Sequence, residues 1–193
     1  MRFNTFSILF LALFILGCER DDICADGTPT TPQLLIDFFD ATDTETVKSV
    51  TRLSVYAEIL VTDDTGVITL PESTSDATLL FNENSSSISL PLIIGNEGEE
   101  TITRYFLEKD TNLRLDGDIT TDSNIDILEI KYTPNFIYVS RACGFKSIFT
   151  ELTAIDNAGD DAIKWIENIT FSNTTEISIT VENEDATHVQ IFH

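Results

Sequence analysis

The sequence predicts an all-β protein, an antiparallel β-sandwich of immunoglobulin-like or jelly-roll-like type, in one domain. Three observations predict it. Beyond residue 33, apolar residues recur at every second position over much of the chain, the period of a strand with one buried face. The runs are short, roughly ten in number, and Asp, Asn, Gly and Ser clusters punctuate them. No convincing long helix interrupts the pattern.

Residues 1–17 stand apart. Arg2 gives a positive start, Phe6 to Leu16 is almost purely apolar, and Gly17 and Cys18 follow. A charged start, a short apolar core and a small residue at the cut form the secretory pattern. The run is too short for a hydrocarbon core of about 30 Å, which takes about 20 residues to cross. Ile15-Leu16-Gly17-Cys18 resembles a bacterial lipobox, whose cysteine receives a diacylglycerol thioether; Leu16 stands where that pattern prefers a small residue. Cys18 is therefore the expected lipid attachment site, and two or more acyl chains suffice for stable anchoring. Residues 18–32 read as a lipidated acidic tether, with Gly27, Pro29, Pro32 and little to pack a core. Within it, Glu19-Arg20-Asp21-Asp22 reads equally as a surface-export signal of Bacteroidota lipoproteins or as a solvated acidic stretch.

The domain then occupies residues 33–193. Strands are expected at 34–39 and at 52–62, the latter in a hairpin with 67–70 through Asp63-Asp64-Thr65-Gly66. Further runs lie at 78–82, 87–93 and 101–108, and another begins at Leu113 and Leu115. Ile125 and Ile127 alternate in one phase, while Leu128, Ile130 and Tyr132 alternate in the other, which suggests a β-bulge near 127–128. Strands follow at 136–142, 177–181 and 188–192. Residues 146–171 are ambiguous: Ile163, Ile166 and Ile169 have helical spacing, but Trp165, Glu167, Ile169 and Phe171 fit a strand, the preferred reading.

Charge and cysteine content bound the function. The whole chain has 11 basic and 33 acidic side chains; cleavage before Cys18 removes only Arg2 and leaves a formal charge of −23. Such a field repels nucleic acid and anionic surfaces and favours basic partners or cations. With Cys18 assigned to lipid, Cys24 and Cys143 remain, an even pair in an oxidising compartment. A disulfide is expected. Two free buried thiols or a metal pair are the alternatives, the latter poor because neither histidine is near in sequence.

Catalytic chemistry finds little support. The histidines, His188 and His193, lie at the last strand and the C-terminus, there is no Gly-x-Ser-x-Gly elbow, and no glycine loop for phosphate is present. With 33 acids, carboxylate pairs at glycosidase spacing arise by chance. No enzyme is expected and no cofactor is assigned. Calcium is the best chemical candidate, through Asp116, Asp118 and Asp122 and a second cluster, Asp156-Asn157-Gly159-Asp160-Asp161. Neither matches the EF-hand spacing, and both serve more readily as turns. Trp165, Tyr56, Tyr105, Tyr132 and Tyr138 are candidates for a sugar-binding face, though strand aromatics more often fill cores. The Asn-x-Ser/Thr triplets at Asn84, Asn168 and Asn173 read as chance in a bacterial lipoprotein.

Cys18-Glu19-Arg20-Asp21-Asp22-Ile23-Cys24, Thr30-Thr31-Pro32, Leu34-Leu35-Ile36-Asp37-Phe38, Arg141-Ala142-Cys143-Gly144-Phe145 and the ending Thr187-His188-Val189-Gln190-Ile191-Phe192 together resemble an uncharacterised family of Bacteroidota lipoproteins. The resemblance implies a lipoprotein with Cys24 and Cys143 paired, and no known activity. The expectation is a non-enzymatic accessory or structural protein of the outer membrane, lipid-anchored on its periplasmic or surface side, with a protein partner there. The alternative is a surface-displayed module for glycan or calcium.

Overall fold

A computed structural model describes residues 23–24, 28, 30–156 and 163–193. The chain forms β1 (Leu34–Phe39), β2 (Val50–Ala57), the short helix α1 (Glu58–Val61), β3 (Thr78–Ser85), β4 (Ser87–Leu90) and β5 (Thr101–Lys109). A second short helix, α2 (Thr111–Leu115), precedes β6 (Asn124–Ser140), β7 (Gly144–Asp156), β8 (Asn168–Phe171), β9 (Ile179–Val181) and β10 (Val189–Phe192). One sheet has the order β4-β1-β10-β8 and the other β3-β2-β5-β6-β7-β9. All pairings are antiparallel except β1 with β10, which run parallel. The protein is thus a mostly antiparallel β-sandwich, as the period-two pattern requires.

Alternation explains the core. Leu34, Ile36 and Phe38 of β1 and Val189 and Ile191 of β10 face Leu53, Val55, Tyr105, Leu107, Leu128, Ile130 and Phe149 of the larger sheet. The larger sheet also has a covered outer face. There Tyr56 and Phe106 pack with Val61, Leu70, Ala77, Phe81, Ile125 and Ile127 beneath the excursion that follows β2.

That second core corrects the bulge reading. β5 and β6 keep an unbroken register from Lys109–Asn124 to Thr101–Tyr132. The two apolar phases of β6 are two buried faces: Ile125 and Ile127 enter the outer core, and Leu128, Ile130 and Tyr132 the main one. The bulges lie at Arg52, Asn82 and Glu151, each with positive φ at a shift of register.

Three other expectations change. β2 ends at Ala57 and turns into α1, so the hairpin to 67–70 reduces to a single bridge, Thr62 to Ile68. Its turn survives because the Asp63 carboxylate accepts the N–H groups of Thr65 and Val67 at 2.8 and 2.9 Å. Leu113 and Leu115 belong to α2 and not to a strand. The ambiguous stretch holds two strands and not one: β7 runs to Asp156, and β8 starts at Asn168, after Trp165 and Ile166 have turned into the core. The N-terminal segment is fastened before β1: Pro32 is buried, and Thr31 Oγ1 accepts the Ser147 N–H at 2.9 Å.

Candidate functional site

The most distinctive feature is the far end of the β6–β7 hairpin. β5 pairs with β6 only as far as Tyr132, and β9 pairs with β7 only at Phe149 and Leu152. Beyond those points the hairpin projects as a two-stranded arm. Its β6 edge is met by the turn after β4, where Gly98 N–H donates to the Pro134 carbonyl and Glu97 accepts the Phe136 N–H. The arm closes through Arg141-Ala142-Cys143, with Gly144 at φ +70°, a conformation that glycine adopts without strain. Ser140 Oγ accepts the Cys143 N–H at 3.0 Å. Cys143 is bonded to Cys24, with a Cα separation of 4.9 Å, so the N-terminal segment is stapled to the tip of the arm.

The arm is apolar at its surface. Phe136, Ile137, Tyr138 and Phe145 are exposed, and so is Ile23 beside the staple. Tyr138 and Phe145 are cross-strand partners, with ring centroids 5.4 Å apart in an edge-to-face arrangement. A two-stranded arm has no second layer to bury these rings.

Two buried polar clusters lie elsewhere. On the outer face Glu108 is fully buried. It accepts from Arg114 Nε at 2.6 Å and Nη2 at 3.0 Å, Ser123 Oγ at 2.6 Å and Tyr56 Oη at 2.8 Å. Burial would push its carboxyl up; the bonds from Arg114, Ser123 and Tyr56 outweigh it and hold the group below the usual range. Arg114 also donates to the Pro71 carbonyl at 2.9 Å, which ties down the loop over the outer core. This is a structural clamp.

At the end opposite the arm, one oxygen of buried Asp126 accepts the backbone N–H groups of Trp165 and Ile166 at 2.9 and 2.7 Å. Its other oxygen has no hydrogen-bond partner among the described residues. Burial raises its pKa to about 6, and neighbouring Asp156 adds to the rise. Trp165 packs edge-on to His193 at 5.7 Å, and Lys109 lies 6.0 Å from the Trp165 ring. Asp126 holds the chain in place before β8.

The residues singled out in the sequence fall as follows. Cys18 lies outside the described residues, as does most of the cluster from 157 to 161. Asp116 Oδ1 accepts the Asp118 N–H, Asp118 Oδ1 accepts the Thr120 N–H, and Asp122 Oδ1 accepts the Ser123 N–H. These carboxylates organise a turn. Among the described residues no group of three or more His, Cys, Asp or Glu side chains is placed to hold a metal.

His188 is an internal clamp, its Nδ1 accepting the Leu35 N–H and its Nε2 facing the Asn183 carbonyl, both at 2.9 Å. Of the five aromatic residues considered for a sugar face, Trp165, Tyr56, Tyr105 and Tyr132 are buried; Tyr138 alone is exposed. An open groove of about 420 Å³ between α1 and β5 is lined by Glu58, Ile59, Ile93, Ile102 and Arg104. Its arginine is engaged by Glu129 at 2.7 Å and Glu58 at 3.5 Å. No described helix is long and apolar enough to cross a membrane.

Sequence reading missed Glu108 and Asp126. Their signal was present: each is an acid inside a long apolar strand, Asp126 between Ile125 and Ile127 and Glu108 directly after Phe106-Leu107. The exposed arm had no such signal, because its aromatics read like any other strand.

Residues 52–193 match a protein family described only as a family of unknown function. The match begins within β2, so β1 and the stapled segment precede it. No curated protein and no solved structure matches the chain.

Proposed function

The chain belongs to DUF6452, a family of unknown function, and we propose that it is a lipid-anchored, non-enzymatic protein of the bacterial cell envelope. The reading places it in the outer membrane of a Bacteroidota-type organism, as an accessory or structural component. One observation carries it: the Cys24–Cys143 bond fastens the N-terminal segment to the domain six residues after the lipobox-like Cys18. A disulfide belongs to an oxidising compartment, where a chain with a secretory leader is delivered. An anchor at Cys18 would meet the folded domain at this bond. Of the polar groups that might do chemistry, His188 binds backbone through both nitrogens, and Glu108 and Arg114 bind each other.

Cell fractionation tests the reading. The wild-type chain is expected with membranes, and the Cys18→Ala variant in the soluble periplasm or as uncleaved precursor. Equal membrane recovery of both would refute anchoring through Cys18. Purification of the lipidated protein in mild detergent then shows whether one near-stoichiometric membrane protein accompanies it, as an accessory role requires.

A further inference from the structure

We infer that the tip of the β6–β7 arm docks into the headgroup region of the membrane that holds the anchor; the inference rests on the lipid-anchored reading above. Three observations place a lipid surface at this tip. The first is reach. Cys18 precedes Cys24 by six residues, at most about 22 Å of extended chain, and Cys24 is bonded to the tip itself through Cys143. An acylated Cys18 therefore keeps the tip of the arm within about 22 Å of the bilayer.

The second observation is chemistry. Tyr138 is 58% exposed, Phe145 67% and Ile23 82%, with Phe136 and Ile137 beside them. Aromatic rings with apolar neighbours suit the membrane interface, where tyrosine buries its ring and keeps its hydroxyl wet. The third is charge. Residues 130–150 contain no acid in a chain that has 33, and they include Lys131, Arg141 and Lys146. Arg141 lies in the turn and Lys146 just below it. Among the described residues Glu97 lies at the Phe136 N–H and the Glu182 carbonyl accepts from Lys146; Glu19, Asp21, Asp22 and Asp26 flank Cys24 in sequence and so lie within reach of the tip as well. The other end of the 17-residue β6, up to about 55 Å away, joins the loop with Asp116, Asp118 and Asp122. The arm's own side chains are basic and those of the opposite loop acidic, so an anionic surface repels the loop end more than the arm, which favours the domain standing on its tip.

The test uses the full chain, matured in cells and reconstituted into vesicles of phosphatidylethanolamine and phosphatidylglycerol (3:1) with brominated acyl chains. Phe145→Trp places a reporter on the tip. Ile119→Trp places one on the opposite loop, at a side chain that is 100% exposed. The native Trp165 is buried and contributes the same background to both. The expected result is loss of emission from the tip reporter and none from the loop reporter. Unquenched emission from the tip, in protein whose mass shows an acylated Cys18, overturns docking and leaves the anchor standing. A tip shielded from aqueous iodide yet unquenched by bromolipid means that a second copy of the chain covers it, which also overturns docking. Protein without acyl mass at Cys18 removes the anchored reading, and the inference with it.

Discussion

Removing the Arg114 side chain isolates a charge in the outer core. Glu108 is fully buried and keeps only Tyr56 and Ser123 as donors once Arg114 is gone. Breaking a buried pair by removing one partner costs about 3–5 kcal/mol. The lower end applies here, because two hydrogen bonds remain and Arg114 is itself 21% exposed, so water can enter. For a domain of this size, about 3 kcal/mol lowers Tm by roughly 6–12 °C. Thermal and urea melts of Arg114→Ala at pH 7, followed by circular dichroism, read the loss.

The pH dependence gives a second check. In the wild type the Glu108 carboxyl titrates below its ordinary value of 4.5. Its contribution is present above that pH and fades as pH falls through the folded-state pKa. In the variant the unpaired acid takes up a proton more readily, so the stability gap to wild type should narrow on acidification. The paired replacement Glu108→Gln with Arg114→Met should recover much of the loss, since it leaves no buried charge. A loss below about 1 kcal/mol at pH 7, or a gap that does not narrow in acid, would show that the cluster behaves as a surface ion pair and the clamp reading is wrong.

Three further outcomes are expected. Asp126 titrates near 6 when folded, above its ordinary 3.8, so the folded state holds its proton more tightly. Stability contributed by this group then falls as pH rises from about 4 to 6, roughly 1.4 kcal/mol for each pH unit in that window. Asp126→Asn, which keeps an acceptor for Trp165 and Ile166, should flatten that fall in pH-dependent urea titrations; an unchanged slope would assign it to other groups. His188 is held below its ordinary 6.5 by burial, so it resists protonation when folded, and stability drops as pH falls below that value. His188→Ala strands the Leu35 N–H at a cost of about 1–3 kcal/mol, and its melts should lose part of the wild-type sensitivity below that pH, the rest belonging to His193, which burial also holds low. Reduction of the Cys24–Cys143 bond, or Cys24→Ser with Cys143→Ser, should cost up to about 4–5 kcal/mol on the chain-entropy model; a thiol assay on the unfolded lipidated protein should find none before reduction and two after.

The sandwich was legible because period two survives in most strands, and because Leu34, Ile36 and Phe38 or Leu128, Ile130 and Tyr132 can face a core in only one way. What misled was local. Ile125 and Ile127 look out of phase unless the sheet is known to be covered on both faces, and that cover comes from residues as distant as Leu70 and Phe81. The chain's departure from β2 into α1 at Glu58 has no marker in a run as regular as Leu53 to Val61. The pairing of Cys24 with Cys143 followed from cysteine arithmetic. Its place at the tip of a projecting arm did not, since that depends on where β5 and β9 stop pairing.

The anchored reading turns on Cys18, and the mass of the mature N-terminal peptide is the measurement to make first. The protein would be extracted from its own membranes, digested without reduction and analysed by mass spectrometry. The expected species begins at Cys18, carries a diacylglyceryl thioether with or without a third acyl chain, and remains joined through Cys24 to the peptide containing Cys143. A peptide beginning elsewhere, or an unmodified Cys18, would mean that the domain is not lipid-anchored there and that the exposed tip serves another surface.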